Sequence, residues 1–169
     1  MSGTPPRRVL GIDLGERRIG LALREDGTAP RGLPTMMRRP TAAEDCERLR
    51  TIAAEGRVTE LVVGLPLHSD GGLSSQATAT LYWATEVAQS LQLPITFVDE
   101  RYSSQRAEAS LGRAARGSNG GAPGPARREA RRAAVDREAA RLILEDAHNP
   151  DLRIDVAALL TLHASETST

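Results

Sequence analysis

Two short apolar runs, residues 60–65 (ELVVGL) and 95–99 (ITFVD), flank a long Ala- and Leu-bearing segment at 75–92. Apolar runs between polar flanks are the signature of strands covered on both faces. A helix joining two of them makes a βαβ crossover, which lays the strands parallel. Ahead of this unit, residues 8–14 (RVLGIDL) read as a buried strand and Gly15 starts a turn. Residues 18–24 alternate Ile19, Leu21 and Leu23, as the return strand of a hairpin does. Gly32 to Met37 gives a weak third strand, closed by Pro40, and Thr41 with Glu44 fits a capping box that opens a helix running to Gly56. Ser103 to Leu111 reads as helical, and residues 126–148 as a second long helix. The order β-β-β-α-β-α-β-α-α predicts an α/β fold with a mixed sheet covered by helices on both faces.

Composition removes several chemistries. A chain of 169 residues suits one domain. All 22 cations are arginine, so there is no lysine nucleophile, Schiff-base lysine or P-loop lysine. The single Cys46 cannot form an intramolecular disulfide or a Cys-based zinc site, and it fits a reducing, cytoplasmic setting. Aromatics are 2% of the chain, so the core is aliphatic. The N-terminal MSGTPPRR precedes no apolar signal-like run, and no stretch has the length of a membrane span.

Charge is neutral overall but uneven. Residues 113–141 carry 8 arginines against 3 acids, a net +5, and residues 142–169 carry 1 against 5, a net −4. The positive block adjoins a Gly/Pro-rich stretch, GSNGGAPGPARREARRAA, so residues of about 113–128 are expected to be a flexible loop. This is the footprint of a phosphate-binding arm, with Arg127, Arg128, Arg131 and Arg132 as its candidates. A solvated linker leading into a charged helix reads equally well.

Three acidic positions interrupt otherwise apolar elements. Asp13 lies inside VLGIDLG, Asp99 and Glu100 end ITFVDE, and Asp136 aligns with Ala140, Ile143 and Ala147 on the inward stripe of the last long helix. A lone carboxylate there costs several kcal/mol unless it is paired or metal-bound, on the scale of buried charges. Each acid also has a plain structural reading: Asp13 capping the hairpin turn, Asp99 and Glu100 capping the next helix, Asp136 pairing with an arginine. Taken together, they converge at the carboxyl ends of the parallel strands. Hard oxygen donors without His or Cys suit Mg²⁺ or Mn²⁺, and two such ions sharing carboxylates are a device for phosphodiester cleavage. Periodicity alone does not choose between Asp99 and Glu100.

Gly11-Ile12-Asp13-Leu14-Gly15 with Arg18-Ile19-Gly20, Val63-Gly64-Leu65-Pro66 with Asp70-Gly71, Asp99-Glu100-Arg101, and Val135-Asp136 with Ala139-Ala140 and Ile143-Leu144 occur in that order. In this pattern, which covers residues of about 8–147, the chain resembles the YqgF or RuvX family of RNase H-like nucleases, which are similar to the Holliday junction resolvase RuvC. The resemblance implies an RNase H-like single domain over residues 1–169, with a five-stranded sheet of three antiparallel strands followed by two parallel ones. It implies metal-dependent hydrolysis of nucleic acid. Family members are described as nucleases for the 5′ end of precursor 16S rRNA or as junction resolvases, so RNA is the first expected partner and branched DNA the second. By motif, Asp13, Glu100 and Asp136 take the catalytic metal-ligand positions for Mg²⁺ or Mn²⁺, with two ions expected. Arg101 and Arg18 lie in the same motifs and are expected to steady phosphates. Residues 149–169 extend beyond the motif core, and the Gly/Pro/Arg-rich loop departs from the usual pattern.

Val63-Gly64-Leu65-Pro66 and Asp70-Gly71-Gly72 read as a strand-to-loop turn whose glycines, Gly71 among them, let a phosphate backbone approach; a plain turn is the alternative. Ser74 and Ser75 are candidate caps for the helix that follows. Two other classes fit parts of the sequence. The Gly-Ile-Asp-Leu-Gly hairpin also opens the ATP-binding half of sugar kinases and Hsp70-type ATPases, but those need two such domains. A catalytically silent RNA- or ribosome-binding module would have no need to keep all three acids.

Overall fold

The structure is a computed structural model and describes residues 5–101, 103–112 and 122–166. Its elements are β1 (Arg8–Leu14), β2 (Arg18–Glu25), β3 (Arg31–Gly32), β4 (Met36–Met37), α1 (Ala42–Glu55), β5 (Glu60–Leu65), α2 (Ser75–Leu91), β6 (Ile95–Asp99), α3 (Ser103–Ser110), α4 (Pro125–Asp146), a 3₁₀ turn (Pro150–Leu152) and α5 (Val156–Glu166). The sheet runs β3-β2-β1-β5-β6, with β4 also pairing to β2. β2 is antiparallel to β1, β3 and β4, whereas β1, β5 and β6 are mutually parallel. The α/β class and the mixed sheet therefore match the expectation from sequence. The third strand differs in detail: it is two fragments rather than one run, split around Pro34, which has no N–H for the ladder.

Local chemistry sets the helix ends. Thr41 Oγ1 accepts from Glu44 N (3.3 Å) while Glu44 Oε2 accepts from Thr41 N (3.2 Å), which completes the capping box of α1. Of the two serines before α2, Ser74 is the cap. Its hydroxyl accepts from Ala77 N (2.9 Å) and donates to Pro66 O (2.6 Å), tying the helix start to the loop after β5. Alternate residues of each strand point to opposite faces. One face, carrying Leu10, Ile12, Leu21, Leu61, Val63 and Phe97, packs against α1 and α2 in the larger, aliphatic core. On the other face Val9, Ala22, Val62 and Val98 pack beneath Ala140, Ile143 and Leu144 of α4.

Cys46 is buried in the larger core. Trp83 packs there as well, and its Nε1 donates to the buried Asp45 (3.1 Å). Its neighbour Tyr82 points outward with 76% exposure. Beyond the motif core, Ile154 N donates to Phe97 O (3.0 Å) beside a bridge between Val98 and Arg153, so the chain edges β6 before α5 begins. Among the described residues, no helix is long and apolar enough to cross a membrane.

Candidate active site

The α4 face of the sheet collects the acids. On β1, Asp13 has the same parity as Val9 and Gly11, which lie under α4. On β6, Glu100 follows Val98 by two residues, so it faces α4 as well. Asp99 faces the other way and accepts Nε (2.8 Å) and Nη2 (2.6 Å) of Arg101. Of the two acids that periodicity leaves open, Glu100 is the one on the face that α4 covers, and Asp99 is paired with Arg101.

Two glycines make room for this arrangement. Gly20 pairs opposite Asp13 across the hairpin, and a Cβ there would stand 2.0 Å from the carbonyl oxygen of Asp136. Helix α4 therefore crosses β2 in near backbone contact, which brings Asp136 over the strand end. A Cβ on Gly64 would stand 2.1 Å from Glu100 Oε2 and 2.7 Å from Ile143 Cδ1. Gly64 lies inside β5 rather than in a turn, and its missing side chain is filled by the Glu100 carboxyl. The signal available in the sequence was a glycine within an apolar strand, which marks close approach of another group. What approaches Gly64 is a carboxyl of the chain itself.

The electrostatics are those of crowded acids. Burial pushes Asp13 up from 3.8 to about 7, with the Asp136 charge adding to the rise. Burial also pushes Glu100 well above the usual carboxylate range, helped by the charge of Asp13 and by the hydrogen bond that a protonated Glu100 donates to Asp13. Two carboxyls so placed cannot both ionise cheaply. Glu100 Oε2 is buried without a hydrogen-bond partner. A buried acceptor left orphaned beside a second carboxyl is the environment that a hard cation satisfies, so the donor set fits Mg²⁺ or Mn²⁺.

Asp136 is engaged differently. Its Oδ2 accepts Nε of Arg18 at 2.6 Å, and Arg18 Nη1 lies 3.3 Å from Glu129 Oε1, one face of α4 supplying both acids. As the side chains stand, no three His, Cys, Asp or Glu among the described residues form a metal-ready cluster. The structure thus brings Asp13 and Glu100 together and places Asp136 alongside them, in the arginine pair that was its alternative reading.

The expected phosphate contacts divide into two groups. Arg101, besides gripping Asp99, donates to Ser69 O (2.9 Å) and so fastens the end of β6 to the 66–74 loop. In that loop Gly71 adopts φ +87°, a turn conformation suited to glycine, with Arg101 Nη1 4.0 Å from where its Cβ would be. Arg127, Arg128 and Arg132 are exposed on the first turns of α4, where Arg128 also reaches Pro123 O. Arg131 instead bonds the carbonyls of Leu111 and Gly112, capping the end of α3. Residues 113–121 of the expected arm, Arg113 and Arg116 included, lie outside the described residues.

Comparison with known proteins meets this geometry. The family profile described as "RuvX: Holliday junction resolvase" matches residues 7–149. The chain belongs to the RuvX family. Among its relatives, a Synechococcus sp. protein is 42% identical over 142 residues, covering 83% of this chain and 88% of the relative; its description is "Putative pre-16S rRNA nuclease". A Myxococcus xanthus relative with the same description is 36% identical over 147 residues, 85% of this chain and 90% of the relative. Among solved structures, "T. thermophilus RuvC in complex with Holliday junction substrate" superposes with a TM-score of 0.50 at 16% identity, over 88% of this chain and 99% of that one. At that identity the likeness shows the RNase H-like fold. RuvX membership makes the chain a nuclease-family hydrolase acting on ester bonds, and its acids stand at the carboxyl ends of the parallel strands, where open α/β sheets place ligands.

Proposed function

We propose that this RuvX-family chain is a single-domain, divalent-metal-dependent nuclease that trims the 5′ end of precursor 16S rRNA in the cytoplasm. The observation that carries the reading is the half-buried pair Asp13 and Glu100, with Oε2 of Glu100 buried and without a hydrogen-bond partner, on the sheet face that Asp136 overhangs. The relatives' shared description directs the choice of RNA; the family description keeps branched DNA as the second reading.

Asp13, Glu100 and Asp136 would hold Mg²⁺ or Mn²⁺, two ions being the number such carboxylate sites use. When bound, the cations supply charge for the phosphate and a more acidic water. The chain's own part is preparation. Gly64 seats the Glu100 carboxyl, Gly20 admits Asp136, and the β1–β2 hairpin fixes Asp13 opposite Gly20. Metal binding needs both carboxyls as anions, so a cation must compete with protons for Asp13 and Glu100, whose proton affinity burial raises. Arg127, Arg128 and Arg132 offer exposed cations along α4 for the nucleic-acid backbone, and Arg101 with Gly71 shapes the opposite loop. Incubating labelled 5′ leader of precursor 16S rRNA, single-stranded RNA and DNA, and a four-way junction with Mn²⁺, Mg²⁺ or EDTA tests the assignment. Metal-dependent cutting of the leader supports it, and preference for the junction transfers it to the second reading.

A further inference from the structure

Arg18 has two acids and no solvent-facing role as it stands. Its side chain is only 16% exposed, its Nε is hydrogen-bonded to Asp136 Oδ2 at 2.6 Å, and Nη1 reaches Glu129 at 3.3 Å. It leaves β2 at the mouth of the hairpin, on the face that also carries Asp13 and Gly20. Asp136 is thus a carboxylate with two claims on it: a guanidinium already in place, and the acid pair next to it. A cation drawing on Asp136 must work against Arg18, because the guanidinium occupies one oxygen and its positive charge repels the ion. A nucleic-acid phosphate offers Arg18 another partner, since a guanidinium binds carboxylate and phosphate with the same fork of donors.

We propose that Arg18 is a positioning residue that withholds Asp136 until a substrate phosphate takes over its guanidinium, so that nucleic-acid binding and metal uptake are coupled. The inference rests on the nuclease reading above and assigns the order in which its parts assemble. Without nucleic acid the site is under-provided with ligands and binds metal weakly. With a phosphate on Arg18, Asp136 joins Asp13 and Glu100. Coupling of this kind is reciprocal: metal must tighten RNA binding by the factor by which RNA tightens metal binding. Gly20 permits the device, since any side chain there would push Asp136 away from the strand that carries Arg18.

The test is calorimetric titration of Mn²⁺ into wild type, Arg18→Gln and Arg18→Lys. Each is measured alone and saturated with a short single-stranded RNA, which is recovered afterwards and run on a gel to show that it stayed intact. The pair is partly exposed, so releasing Asp136 should tighten Mn²⁺ binding to Arg18→Gln alone by about tenfold, between the effects of surface and buried pairs. The tightening that RNA confers should shrink in Arg18→Gln by that same factor and return in Arg18→Lys, which keeps the charge. Arg18→Gln binding Mn²⁺ no more tightly than wild type, or more weakly, overturns the proposal and makes Arg18 an orienting partner of Asp136. Asp13→Asn separates the two levels of the account. If wild type takes up Mn²⁺ through Asp13 while Arg18→Gln behaves like it, only the coupling fails. If wild type with RNA takes up no Mn²⁺, or Asp13→Asn takes up as much, the nuclease site itself is misassigned.

Discussion

Replacing Asp13 with Asn removes a charge that the fold strains to hold, and it should make the protein more stable. In the folded chain the Asp13 carboxyl is raised from 3.8 to about 7, chiefly by burial and then by Asp136. The folded state therefore binds more protons than the unfolded chain between those values. Asp13's contribution to stability consequently falls as pH rises from about 4 to about 7, then levels off once Asp13 is ionised in both states. At about 1.4 kcal/mol per pH unit the full rise is worth about 4 kcal/mol, and coupling to Glu100 reduces what a single substitution recovers to about 3 kcal/mol. Asn mimics the neutral acid in shape. Urea melts in EDTA should therefore show Asp13→Asn about 3 kcal/mol more stable than wild type near pH 8 and equal to it near pH 4. For a chain of this length that corresponds to roughly 6–12 °C in Tm. Mn²⁺ should stabilise wild type and leave the variant unmoved, because only an intact site binds the ion. A variant no more stable than wild type at high pH, or a difference that does not change with pH, would refute the strained-pair account.

Asp136→Asn should cost about 1 kcal/mol of stability in EDTA, since it breaks an Arg18 pair whose side chains are 16% and 21% exposed; thermal melts check it, and a more stable variant contradicts the pairing. Gly64→Ala puts a methyl 2.1 Å from Glu100 Oε2, which can swing away. Urea melts should therefore show a loss of only about 1–2 kcal/mol, whereas displacing the carboxyl should lower cleavage by on the order of 100-fold. Changing Arg127, Arg128 and Arg132 to Gln should weaken RNA binding regardless of sequence, each lowering the slope of log K against log salt by roughly 0.7–0.9 in filter-binding assays. Arg131→Gln should show itself first as lost stability, because it bonds the carbonyls at the end of α3.

Strand parity and crossover order made the sheet legible from sequence, because burial on both faces of β1, β5 and β6 leaves continuous apolar runs that charge interrupts only at the site. Asp13 stood out on that ground, and Asp136 stood out against the stripe of Ala140, Ile143 and Ala147, all of which are buried. Glu100 was not separable from Asp99, since the distinction depends on which face α4 covers, a tertiary fact. The roles of Gly20 and Gly64 were hidden for the same reason: a strand glycine announces an approach without naming the group that comes near. The arginines illustrate the converse. Their number suggested a phosphate arm, yet pairing depends on neighbours distant in sequence. Arg18 reaches Asp136, Arg101 turns back on Asp99, and Arg131 caps a helix. The C-terminal segment carried no motif and still folds as an edge to β6, where backbone hydrogen bonds rather than side-chain pattern decide its place.

The central claim is that Asp13 and Glu100 serve metal-dependent phosphodiester hydrolysis, and one measurement meets it directly: cleavage of end-labelled precursor 16S rRNA 5′ leader by wild type and Asp13→Asn, with Mn²⁺ and with EDTA. The account predicts cutting by wild type in Mn²⁺ alone and a loss of at least ~100-fold in Asp13→Asn, the scale of a lost transition-state stabiliser, although that variant is the more stable protein. Undiminished cleavage in EDTA, or an Asp13→Asn protein as active as wild type, would contradict it.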